Sequence, residues 1–144
     1  MYRRRDGRTE VLLVHPGGPF FKNKDAGIWT VPKGEPAEGE EMIETARREF
    51  REETGIDVGD VPLIALGEVK QKGGKAVHAW AFAGDCDLAA LKCNTFKVQW
   101  PPKSGQWRTF PEVDQYAFLD LATARQKINP AQVALLDRLE QAIT

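Results

Sequence analysis

Cysteine and histidine are scarce: Cys86, Cys93, His15 and His78 are all that 144 residues contain. The two thiols lack any C-x-x-C or Cys/His spacing, which excludes a zinc ribbon or a disulfide-built scaffold and reads as reduced cysteine in a cytoplasmic protein. Neither histidine has a nucleophile or ligand partner at a recognisable spacing, so both read as strand residues rather than catalytic bases. An excess of charge is also missing, with a formal net charge of -1. No global field draws nucleic acid or an anionic membrane, and a polyanionic ligand has to be attracted by local groups. Long apolar runs are absent too: the opening MYRRRDGRTEVLLVH offers basic residues and then one short apolar run. That is too short for a signal-peptide core or a membrane span. Without repeat, low-complexity tract or linker, and with 42% hydrophobic residues, residues 1–144 read as one domain able to bury a core.

What is present centres on Gly34 to Ile56, GEPAEGEEMIETARREFREETGI. Pro36 and Gly39 precede the stretch Glu40 to Thr54 and Gly55 follows it, which is the punctuation of a loop, a helix and a stop. At about 100° per residue, Ile43, Ala46 and Phe50 form an apolar stripe, with Glu44, Arg47, Arg48 and Arg51 on the solvated side. Glu49, Glu52 and Glu53, at i, i+3 and i+4, gather on the flank bordering the stripe. Like charges so close repel, and a bound cation offsets that repulsion. Carboxylate oxygens suit a hard ion, Mg²⁺ or Mn²⁺.

Around this helix the pattern predicts strands at Thr9 to His15, Leu63 to Lys70, Ala76 to Ala83, Phe96 to Trp100, Gln106 to Phe110 and Tyr116 to Leu119. The Gly73-Gly74 turn joins the second and third, and Pro101 to Gly105 the fourth and fifth. A short extended piece, Ile28 to Pro32, leads into the box, and residues 84 to 95 read as loop. A short helix is expected at Leu121 to Lys127. Asn129-Pro130 then offers a cap and first residue to a terminal helix whose apolar face is Val133, Leu136, Leu139 and Ile143. Strands around one early helix, with helices at the end, argue for a mixed sheet covered on both sides.

The box fits G-x5-E-x7-R-E-U-x-E-E-x-G-U, U being bulky and apolar, through Gly34, Glu40, Arg48, Glu49, Phe50, Glu52, Glu53, Gly55 and Ile56. Chance produces this at on the order of 10⁻⁹ per starting position at background usage. It resembles the signature of the Nudix hydrolase superfamily, and most of the chain follows that family's order, opening about where the family's first strand is already under way. The resemblance implies an α/β/α sandwich and Mg²⁺-dependent hydrolysis of a nucleoside diphosphate linked to another group. It also implies that Glu49, Glu52 and Glu53, with the Gly34 carbonyl, hold the metal, and that Glu52 or Glu53 takes a proton from the attacking water. Arg48 then orients a neighbouring glutamate, Glu40 closes the helix start, and Glu112 is an extra carboxylate of the kind some members place near the metals.

Trp29-Thr30-Val31-Pro32-Lys33-Gly34 is similar to the W-x-x-P-K-G lead-in of enzymes that split diadenosine tetraphosphate. This implies a nucleotide as partner, Lys33 on its phosphates and Trp29 under a base, although the tyrosine usual there soon after the box is missing from KQKGGKA at 70–76. A housecleaning nucleoside triphosphate pyrophosphatase and a non-catalytic nucleotide- or RNA-binding module are the competing readings. A homodimer is compatible with every one of them.

Overall fold

The computed structural model describes residues 1–144. Strand β1 (Tyr2–Arg5) turns at Asp6-Gly7 into β2 (Arg8–Pro16), and helix α1 (Met42–Thr54) follows the box loop. Then come β3 (Ile64–Lys70), β4 (Ala76–Ala81), β5 (Thr95–Gln99), β6 (Trp107–Pro111), β7 (Val113–Asp120), α2 (Leu121–Lys127) and α3 (Val133–Ile143). Strand β2 lies between β1 and β7, while β3 with β4 and β5 with β6 form antiparallel pairs. A parallel bridge from Tyr2 to Ala83 joins the first sheet to the end of β4, which makes the sheet mixed as expected.

The apolar run Val11 to Val14 is buried because both faces of β2 are covered. Val11 and Leu13 pack with Leu121, Ala124, Leu135, Leu136 and Leu139 of α2 and α3. Leu12 packs on the other side with Phe50 of α1 and with Phe82. Successive strand residues thus reach two different helical layers, the arrangement of an α/β/α sandwich.

Strand β1 is the element that the sequence pattern missed, since Arg3-Arg4-Arg5 carries no apolar alternation. It forms because Asp6 and Gly7 both take positive φ, 54° and 76°, the backbone of a tight hairpin turn. Arg3 is then held by Glu10 at 2.8 Å and Asp85 at 2.7 Å, over the Phe118 ring. Two smaller differences lie in the second half. The 84–95 stretch contains a 3₁₀ turn at Leu88–Ala90, and Asn129 caps a 3₁₀ turn, Pro130–Gln132, that runs on into α3.

Gln132 holds the approach to the box. Fully buried, its Oε1 accepts from the Val31 N–H at 3.0 Å, and its Nε2 donates to Thr30 Oγ1 and Gln71 Oε1 at 2.8 and 2.7 Å. Gln132→Ala strands these buried groups and is expected to lower stability by about 1–3 kcal/mol. Urea denaturation checks it, an unchanged midpoint counting against this clamp.

Candidate active site

Helix α1 is pinned at its C-terminal half. Phe50 meets Phe82 edge to face at 5.2 Å between centroids, the Thr54 hydroxyl donates to the Phe50 carbonyl at 2.6 Å, and the Tyr116 hydroxyl of β7 donates to the Glu53 carbonyl at 2.5 Å. Gly55 ends the helix with φ of 79° and its N–H on the Arg51 carbonyl, a left-handed stop that glycine adopts at little cost. The turn that is held most firmly is the one that carries the glutamates.

Those glutamates differ in environment. Glu53 points inward, is 9% exposed, and accepts the Lys33 N–H at 2.8 Å. Burial, with the nearby charges of Glu49 and Glu112, lifts its carboxyl to about 8 despite that hydrogen bond. Glu49 and Glu52 share one Arg48 nitrogen, Nη1, at 2.8 and 3.0 Å. Gly34 lies against Glu49: a Cβ there would sit 2.0 Å from the Glu49 carboxyl carbon. The lack of a side chain at Gly34 is what lets loop and carboxylate come together.

Arg48 corrects the helical-wheel reading that put it on the solvated side. The loop before α1 doubles back over that side, and the guanidinium spans it: Nε and Nη2 donate to Glu40 at 2.9 and 3.0 Å, and Nη2 also to the Glu35 carbonyl at 2.9 Å. Arg48 holds the Glu40 carboxyl down to about 2, helped by hydrogen bonds from the Ala37 N–H and the Thr45 hydroxyl. Glu40 is therefore an ionised clasp between loop and helix. Glu112, between β6 and β7, joins the cluster from a distant part of the chain. Its carboxyl is raised by burial and then by Glu49 and Glu52. Tyr116 and Thr45 are partners that no spacing in the sequence announced, because each acts through a fold contact rather than a motif.

Lys33 brings its backbone to Glu53, while its ammonium has no ion-pair partner. Trp29 differs from the expectation of a base platform. It is 6% exposed, packed in the α2/α3 core and edge-on to His15, with its indole N–H on Asp25 at 2.7 Å. The parallel bridge to Ile128 carries it inward, so its faces are unavailable for stacking. Both histidines lie in strands: buried His15 contacts Asp114 Oδ1 and the Lys24 carbonyl, each at 2.6 Å, and His78 faces Glu68 at 3.2 Å.

Residues 1–139 match the NUDIX domain family. The chain belongs to the Nudix family. Among curated Nudix relatives, Nudix hydrolase 5 of Arabidopsis thaliana is 34% identical over 91 residues, 62% of this chain but 28% of that protein. The asymmetrical bis(5'-nucleosyl)-tetraphosphatase of Mus musculus is 53% identical over 36 residues, 25% of this chain and 24% of that one. The matched stretches thus span well under half of these relatives. A Caenorhabditis elegans Ap4A hydrolase structure superposes with a TM-score of 0.70 at 21% identity, covering 99% of this chain and 92% of that one. At that identity the likeness establishes the Nudix fold. No helix is long and apolar enough to cross a membrane.

The Nudix site offers donors suited to a hard divalent cation. Its donors are all oxygen, Glu53 and Glu112 are lifted by burial and then by neighbouring glutamates, and Gly34 keeps space beside Glu49. The chemistry fits. As they stand, with Glu49 and Glu52 turned to Arg48, no three carboxylates converge as a ligand group, so coordination requires rotation of these side chains.

Proposed function

We propose that this Nudix chain hydrolyses a phosphoric anhydride bond in a nucleoside diphosphate linked to a second group, the substrate being a dinucleoside polyphosphate such as diadenosine tetraphosphate. The observation that carries the reading is the clustering of Glu49, Glu52, Glu53 and Glu112, with Glu49 against Gly34 and Glu53 on the Lys33 N–H, on a helix end clamped by Tyr116. The similarity to the mouse tetraphosphatase supports the choice of substrate, as do the Trp29 to Gly34 spacing and the unpartnered Lys33 ammonium.

Glu49, Glu52, Glu53 and the Gly34 carbonyl would hold Mg²⁺ or Mn²⁺. Such an ion neutralises phosphate oxygens and lowers the pKa of an attacking water. The remaining work falls to the chain. Arg48 holds Glu49 and Glu52 side by side on one nitrogen, so that both carboxylates turn from one anchored position when they take up a cation. Lys33 presents a point charge to phosphate. Glu53, buried on the fixed Lys33 backbone donor, and Glu52 are the two candidates to receive a proton from the attacking water.

A panel of diadenosine tetraphosphate, the separate nucleoside triphosphates and ADP-ribose, incubated with Mg²⁺ and scored by the masses of the products, tests the proposal. The expected result is asymmetric cleavage of the tetraphosphate. Release of pyrophosphate from triphosphates alone would move the assignment to a nucleotide-pool enzyme. Binding without products would leave a nucleotide- or RNA-binding module.

A further inference from the structure

Strands β5 and β6 pair only with each other and form an arm rooted beside the carboxylates. Its root is tied by the Asn94 N–H on the Glu52 carbonyl at 3.0 Å, the Glu112 N–H on the Asn94 carbonyl at 2.9 Å, and the Gly17 N–H on the Glu112 carbonyl at 2.9 Å. The Gly17-Gly18 loop seats the arm closely: a Cβ on Gly17 would lie 1.9 Å from the Pro111 oxygen, and one on Gly18 2.7 Å from the Phe96 ring. Glycine at both positions lets the loop run along the arm. At about 3.3 Å per residue, Trp107 lies about 17 Å along the strand from Glu112.

Two properties of this arm stand apart from the rest of the surface. Residues 16–24 and 88–111 contain six cations, Lys22, Lys24, Lys92, Lys97, Lys103 and Arg108, and no acid. All six are exposed and none has an ion-pair partner, although the chain as a whole is slightly acidic. The second property is aromatic. Trp107 is 67% and Phe20 50% exposed, and Phe20 stands edge-on to Trp100 at 5.3 Å. The register pairs Gln99 with Trp107 and Lys97 with Thr109, so the indole and the Lys97 ammonium share the face opposite the one that Phe96 turns to the loop. Exposed rings among unpaired cations recognise a polyanion that also carries bases.

Resting on the reading of the site given above, we propose that the β5–β6 arm binds the nucleoside end of the substrate remote from the bond that is cut. Trp107 stacks on the base, and Lys97, on the same face and nearer the carboxylates, takes an intervening phosphate. The long reach from Glu112 to Trp107 suits a substrate with several phosphates between its two nucleosides.

The test uses the full chain and diadenosine tetraphosphate. Trp107→Ala is expected to raise KM about tenfold with kcat within about twofold, and Trp107→Phe to restore most of the loss, since a stacked base contributes about one such factor or more. Lys97→Ala is expected to flatten the dependence of KM on salt. Binding is read independently of turnover, by quenching of tryptophan fluorescence with the same dinucleotide in EDTA, which Trp107→Ala should reduce. Unchanged KM in both variants, or no difference in quenching, overturns the proposal. So does a wild-type dimer that Trp107→Ala dissociates without changing KM, the patch then being a contact between copies. If wild type quenches through Trp107 but cuts no nucleotide, the proposed reaction fails while the arm's role stands.

Discussion

Glu53→Gln is expected to lower turnover about 10³-fold while leaving the fold intact, because a proposed cation ligand and a candidate proton acceptor are lost together. The amide oxygen can still accept the Lys33 N–H that now bonds Glu53 at 2.8 Å, so the loop stays in place. The same variant has a signature in stability. With the carboxyl of Glu53 raised to about 8, the folded metal-free chain keeps a proton that the unfolded chain has already lost above its ordinary carboxylate value. Stability therefore falls as pH rises through that window, and levels off once Glu53 ionises in the folded state as well. Metal-free wild type should melt at progressively lower temperature from about pH 5 to about pH 8. Glu53→Gln should lose much of that slope, and saturating Mg²⁺ should offset it in wild type by binding the ionised form. Turnover of the variant within about tenfold of wild type would remove Glu53 from the reaction. A melting temperature of metal-free wild type that rises across that range would show that its carboxyl is not held neutral.

Gly34→Ala is the second large effect, and it falls on activity while sparing stability. The new Cβ would fall 2.0 Å from the Glu49 carboxyl carbon and 2.3 Å from each of its oxygens. The obstructing atoms are the far end of a flexible side chain, so Glu49 swings away rather than the loop unfolding. Gly34 also has no positive φ to strain. Stability is expected to stay within about 0.5 kcal/mol of wild type. Turnover is expected to drop about 10²-fold, since a displacement of an ångström or more separates one carboxylate from the others. Melting curves and steady-state kinetics measured on the same preparation decide it. A large fall in both would mean that Gly34 serves folding, and no fall in either would mean that Glu49 does not need its present position.

The two variants bear on different kinds of information. That Glu49, Glu52 and Glu53 belong together could be read from the chain, because the angles between residues on one helix follow from the backbone and need nothing from the rest of the fold. Gly55 as the helix stop and the two later hairpins were legible for the same local reason. The helix wheel was less reliable about what surrounds the helix. It put Arg48 toward solvent, where the returning box loop instead brings Glu40 and the Glu35 carbonyl to it. Trp29 stood in a motif whose resemblance implied base stacking, yet its neighbours in space, His15 and the residues of α2 and α3, bury it.

By itself, the sequence determined the family, the helix that carries the carboxylates and the alternation of strands around it, since these depend on residue spacing and on turn chemistry within a few positions. Only the tertiary structure decided which glutamate is buried and holds its proton. The Lys33 backbone, Glu112 and Tyr116 reach Glu53 from separate parts of the chain, and burial is a property of what packs around a residue. The same is true of the β5–β6 arm. Its cations and aromatics are scattered across two sequence segments, and they come together because Gly17-Gly18 and Asn94 fasten both segments beside the box helix.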